Sequence, residues 1–225
     1  MPIESVHETL ALTVRQRCFY LFCALLLLLV TVPLLEDSPN GRIALNAISL
    51  LILLCGAGAI GRSGGALMIS LLLAAPAAGF QILGYTYDAP NLNILSQAFA
   101  AAFYFITVSY LLLHVLRREV LTMDKLYGAA AAYLMLGVLW AYFYNILLYF
   151  HPGALTMNGT PVNAVLPSTM LFFSLATLTS ASSDVFPTHP AARMLCAFEM
   201  ITGVLFIAVL IARLAGSYPP QERPQ

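Results

Sequence analysis

Residues 167–184 read PSTMLFFSLATLTSASSD. From Pro167 to Thr179 the run carries only apolar side chains and small hydroxyls, and it then breaks into the polar string Ser180–Asp184, with Pro187 close behind. A helix needs about 20 mostly apolar residues to cross the hydrocarbon of a bilayer, so this run is too short to cross. An apolar segment that stops half-way and turns polar predicts a re-entrant half-helix. Such backbone is tolerated at membrane depth only where protein or water surrounds its end.

The surroundings are apolar on the scale a bilayer demands. Hydrophobic residues make up 60% of the 225 residues and charged residues only 9%, against roughly 25% charged in a soluble domain. Six long runs have the length of membrane crossings: Cys18–Leu35, Ile43–Ile60, Ala66–Leu83, Ile94–Leu116, Tyr127–Phe150 and Leu195–Leu214. The first is followed by five more, which reads as a span and not as a cleaved signal. The third holds Pro76 and Gly79 and predicts a kinked helix. The expected fold class is therefore an all-α membrane protein with six transmembrane helices plus the half-helix.

Charge sets the orientation. With the N-terminus in the cytoplasm, Arg15, Arg17, Arg62, Arg117, Arg118, Lys125, Arg213 and Arg223 fall inside, and only Arg42 and Arg193 fall outside. Positive residues favour the cytoplasmic loops, so eight against two decides for cytoplasmic termini of a multi-pass protein in a plasma or bacterial inner membrane. The formal net charge is zero, which gives no ground for a nucleic-acid partner. The chain divides into a four-helix part (residues 1–116), a charged linker (117–126), a second membrane unit (127–216) and a proline-rich tail expected to be disordered (217–225). Cys18, Cys23, Cys55 and Cys196 lie in or beside apolar runs without metal-type spacing, as free thiols do.

The second unit runs helix, half-helix, polar loop, helix. The stretch FFSLATLTSASSDVFP followed by RMLCAFEMITGVLFIAVLIARL (Arg193–Leu214) resembles the pore module of the potassium-channel superfamily. In that family a TLTTVGYGD-like pattern precedes a last helix with a glycine. Thr177, Leu178, Thr179, Asp184, Val185, Pro187 and Gly203 match it, and the resemblance covers about Tyr127–Ala215. It implies a homotetramer in which each chain supplies a quarter of a pore. By layout only, the four preceding spans resemble the six-span branch.

The departure from the pattern lies in the filter. Where the family has VGYG, this chain has Ser180, Ala181, Ser182 and Ser183 once Asp184 is aligned, so both filter glycines are absent. A potassium filter points successive backbone carbonyls inward to replace the ion's hydration shell. Its backbone uses conformations easy for glycine, and the left-handed region costs another residue roughly 1–2 kcal/mol. The expected filter, Thr179–Asp184, is thus a wider, hydrated mouth with weak or no potassium preference, passing monovalent cations and needing no cofactor. For Asp184 two roles stay open: a ring of four carboxylates that favours cations, or a side chain that pins the loop by bonding its amides. Thr202, Gly203, Phe206 and Leu210 are the expected pore-lining or gating positions of the last helix. For Gly203 a hinge and close packing both remain, and Phe206 or Leu210 would gate by dewetting. Glu199 is the one acid deep in a span; it either serves the pathway or is bonded behind the pore loop.

The fourth run, NILSQAFAAAFYFITVSYLLLHVL, holds no arginine or lysine. Each charge moved through the field is worth about 2.3 kcal/mol per 100 mV, so steep voltage sensing is not expected. Gating is left to lipid, tension, protons or the loop itself, with His151 and His189 as outer histidines able to titrate near neutrality. Asn158-Gly159-Thr160 has the form of a glycosylation site. Gly61-Arg62-Ser63-Gly64 has the form found in intramembrane serine proteases, but the last two spans offer Ser63 no histidine, so no enzyme is expected. A transporter would show two matched, broken-helix halves, and none are visible. A non-conducting relative serving as a sensor or partner subunit is the rival reading.

Overall fold

A computed structural model describes residues 17–36, 47–49, 51–56, 64–87, 89–116 and 122–216. Of these described residues 81% are helical. Six labelled helices follow in order: α1 (Arg17–Leu35), α2 (Gly64–Thr86), α3 (Pro90–Leu116), α4 (Met123–Phe150), α5 (Pro167–Leu178) and α6 (Pro190–Ala215). Four of them, α1, α3, α4 and α6, are long and apolar enough to cross a membrane. The run Ile43–Ile60 appears as the short apolar helix Ala47–Gly56, the rest of it lying outside the described residues. The charges at 117 and 118, Ser63 and the 217–225 tail also lie outside them.

The centre of the molecule is α4. It packs on α1, α3, α5 and α6, while α2 packs on α3. A row of small residues lets neighbours approach: Gly128, Ala129, Ala131, Ala132 and Gly137 are all buried on it. Its start is set by Thr122, whose backbone is extended and whose hydroxyl accepts from the Lys125 amide at 3.4 Å. The linker expected over 117–126 therefore ends inside α4, because the threonine cap makes Asp124 and Lys125 part of the first turn.

Two carboxylates tie α1 at its ends. Asp124 accepts from the Cys18 amide at 3.1 Å, at the N-terminus of α1. Glu36, just past the C-terminus of α1, accepts from the amide of Ser168 at 3.1 Å and from its hydroxyl at 2.5 Å. The residue before α5, Leu166, has no capping side chain. Glu36 supplies that cap from another helix, a favourable place for negative charge.

A small sheet was not foreseen. β1 (Leu155–Met157) pairs antiparallel with β2 (Thr160–Val162) and with β3 (Val185–Pro187), in the order β2-β1-β3. Asn158 and Gly159 join β1 to β2 with φ of 51° and 78°, the geometry for which Asn-Gly is the favoured hairpin turn. The register aligns Leu155 with Pro187 and Met157 with Val185. This pairing fastens the segment after Asp184 to the segment that follows α4.

Candidate functional site: the half-helix and its loop

α5 is 12 residues long, about 18 Å at 1.5 Å per residue. It begins beside Glu36, at the end of α1. It ends with the Leu178 carbonyl against Gly203, near the middle of α6, and 3.4 Å from the Tyr133 hydroxyl within α4. By Val185 the chain is back in the sheet. So the segment descends along α4 and α6, stops about half-way, and returns.

The end of α5 is a Schellman turn. The Ala181 amide donates to the Ala176 carbonyl at 2.7 Å and the Ser180 amide to that of Thr177 at 3.0 Å. Ser180 sits in the left-handed region, with φ 58°, where glycine is the usual occupant. The strain expected of a glycine-free filter is thus confined to one residue. Six residues lie between Leu178 and Val185, a reach of about 23 Å over the seven steps when extended, so most of the return is made by open chain. Among the described residues, no hydrogen bond reaches the carbonyls of Ser180, Ala181, Ser182, Ser183 or Asp184. The Ser183 hydroxyl instead donates to the Val185 carbonyl at 3.0 Å. Thr179, Ser180, Ala181, Ser182 and Asp184 are exposed.

The Asp184 side chain makes no hydrogen bond among the described residues, so its carboxylate does not pin the loop. It borders a cavity of about 400 Å³ together with Leu29 and Pro33 of α1 and Ser168 and Thr169 of α5.

The positions expected to line a pore face different ways. Gly203 is buried, and a Cβ built on it would overlap the Leu178 carbonyl. Close packing is the role this geometry gives it. Phe206 is buried with its ring 5.2 Å from that of Tyr133, and Leu210 packs at the edge of the same core. Thr202 is half-buried and its hydroxyl donates to the Phe198 carbonyl at 2.7 Å. The opposite face of α6 is open: Met194, Phe198, Ile201 and Leu205 are each more than half exposed.

Behind α5 lies a polar cluster in an apolar core. Glu199 of α6, Ser174 of α5 and Tyr144 of α4 are all 0% exposed. The Tyr144 hydroxyl is 2.5 Å from Glu199 Oε2 and 3.3 Å from Cys196 Sγ. Ser174 Oγ is 2.6 Å from Glu199 Oε1 and 2.7 Å from the Gly137 carbonyl oxygen. Phe173 covers Tyr144 at 4.8 Å. Of the two readings of Glu199, the carboxyl bonded behind the loop is the one with this geometry.

At the turns beside the sheet, the rings of His151 and His189 stack 4.7 Å apart. His189 Nδ1 accepts from the Ala191 amide at 3.2 Å, which caps the start of α6. A cavity of about 430 Å³ in the first helices reaches Met170 and Leu171 of α5, and Gln81, Asn93, Gln97 and Asn145 supply polar parts of its wall.

No family model matches the sequence, and neither a curated protein nor a solved structure matches it.

Sequence reasoning missed Glu36, Tyr144 and Ser174 as supports of α5. For the hairpin a signal was present, since Asn158-Gly159 marks a tight turn as strongly as it marks a glycosylation site. For Glu36 there was none: its partner is 132 residues away.

Proposed function

We propose that the chain is one subunit of a homotetrameric, cation-permeable channel. In this reading it has six membrane spans, formed by the four long helices together with α2 and the run Ile43–Ile60. α5 is the re-entrant pore helix and Thr179–Asp184 the filter. Monovalent cations pass by diffusion through a hydrated mouth with weak or no potassium preference, and membrane lipids surround the periphery.

The observation that carries the reading is the half-way stop of α5 followed by five carbonyls that accept no hydrogen bond among the described residues. A buried loop would leave such carbonyls unsatisfied at a cost of roughly 1–3 kcal/mol each. Facing water and ions across a shared axis, they are satisfied by what permeates. The unpaired, exposed Asp184 supports the ring of four carboxylates, since the loop makes no use of it. The open apolar face of α6 suits contact with a second copy of the chain. The uncharged α3 supports a periphery that does not sense voltage.

The test is flux through liposomes holding the purified protein, comparing potassium, sodium and chloride. The reading expects both cations to pass ahead of chloride, and Asp184→Asn to reduce that preference. An unchanged reversal potential in D184N removes Asp184 from selectivity. No flux of any ion favours the rival, a non-conducting channel-like sensor or partner subunit.

A further inference from the structure

The cluster behind α5 has too few hydroxyl protons for its contacts. Ser174 Oγ stands 2.6 Å from Glu199 Oε1 and 2.7 Å from the Gly137 carbonyl oxygen. Both are hydrogen-bond distances, yet a serine hydroxyl has one proton to give, a carbonyl has none, and an ionised carboxylate has none. If Glu199 were ionised, one of the two short contacts would be oxygen against oxygen with no hydrogen between them. Neither oxygen could turn to water, because Glu199 and Ser174 are 0% exposed.

One assignment satisfies every contact. Glu199 carries the missing proton on Oε1 and donates it to Ser174. Ser174 donates to the Gly137 carbonyl. Tyr144 donates to Glu199 Oε2, which a carbonyl-type oxygen of a neutral acid accepts. The Cys196 thiol is then free to donate to the Tyr144 oxygen at 3.3 Å. We propose that Glu199 is held as the uncharged acid, and that the relay Glu199–Ser174–Gly137 is a proton-dependent latch positioning the half-helix between α4 and α6. The latch joins three helices through one proton. Its removal to a base in bulk solvent leaves a buried negative charge and turns one contact repulsive.

The titratable groups facing Glu199 are Tyr144 and Tyr133 from α4 and Cys196 from its own helix, and α5 contributes none. All three are neutral when protonated, so none supplies a positive partner for a carboxylate. The latch is closed while Glu199 holds its proton, and it fails when base removes it. Because Leu178 ends α5 directly above the filter loop, loosening α5 moves Thr179–Asp184. Only this last step rests on the channel reading.

The test has a readout independent of flux. Infrared difference spectra of wild-type protein minus Glu199→Gln, at neutral pH, isolate the carbonyl stretch of a protonated carboxylic acid at Glu199. The band is expected in the wild type. Glutamine copies the neutral acid, with an amide proton for Ser174 and an oxygen for Tyr144, so E199Q is expected to keep the wild-type melting temperature. It is also expected to lose the alkaline dependence of melting. Ser174→Ala removes the acceptor, and the band is expected to move to higher frequency. Absence of the acid band in the wild type, an unshifted band in S174A, or alkaline melting unchanged in E199Q would each overturn the assignment. A band without any ion flux leaves the latch in place and defeats the channel reading instead.

Discussion

Gly203→Ala adds a methyl group where the Leu178 carbonyl already stands. The obstacle is backbone at the last turn of α5, so it cannot swing aside as a side chain would. It also accepts from the Tyr133 hydroxyl at 3.4 Å. Relief requires α6 to move away from α5, which opens the packing around Phe206 and stretches the Glu199 contacts. Overpacking of this kind costs about 1–3 kcal/mol. Alanine returns up to about 1 kcal/mol of helix propensity, and a rigid obstacle belongs at the upper end of the range, so the net loss is about 2 kcal/mol. For a chain of this length that lowers the melting temperature by roughly 4–8 °C. The assay is thermal unfolding of the purified protein in detergent, followed by the fluorescence of the single tryptophan, Trp140. Gly137→Ala is the control. Its methyl meets Leu175 Cδ2, the free end of a flexible side chain, and the variant is expected within about 1 kcal/mol of wild type. A G203A protein that melts with or above the wild type would refute the close approach of α5 and α6. Altered opening rates at unchanged stability would then restore the hinge.

Ser180→Gly removes the left-handed penalty at φ 58° and is expected to raise stability by about 1 kcal/mol per chain; chemical denaturation measures it, and no gain would mean that the Schellman turn does not form. Glu36→Gln keeps the shape of the cap but removes its charge from the N-terminus of α5, at an expected cost of about 1 kcal/mol, read as faster amide exchange in the first turn of α5. Unchanged exchange there would show that Glu36 does not anchor it.

The physical theme of the second unit is a short helix held by other helices. An isolated helix of 12 residues is marginal in water, and α5 has no cap of its own at Leu166. Three remote contacts compensate: Glu36 at its start, Ser174 to Gly137 and Glu199 in its middle, and Gly203 under its end. The loop beyond α5 is left with its carbonyls unpaired among the described residues and its position set from behind.

Hydropathy and length alone determined the helices. Cys18–Leu35, Tyr127–Phe150 and the half-length run from Pro167 were each legible to within a few residues, because a bilayer rewards continuous apolar length and length is a local property of a chain. The presence of a polar, glycine-free string ending in Asp184 was equally plain. What no stretch of sequence contained was direction. That Gly203 and Phe206 turn inward to α5 and Tyr133, that Asp184 bonds to nothing in its own loop, and that Glu199 meets two hydroxyls and not a pore were decided only when α4, α5 and α6 came together. An α-helix that is apolar on every side carries no periodic mark of which side will be buried, so its facing is set by packing between residues far apart in the chain.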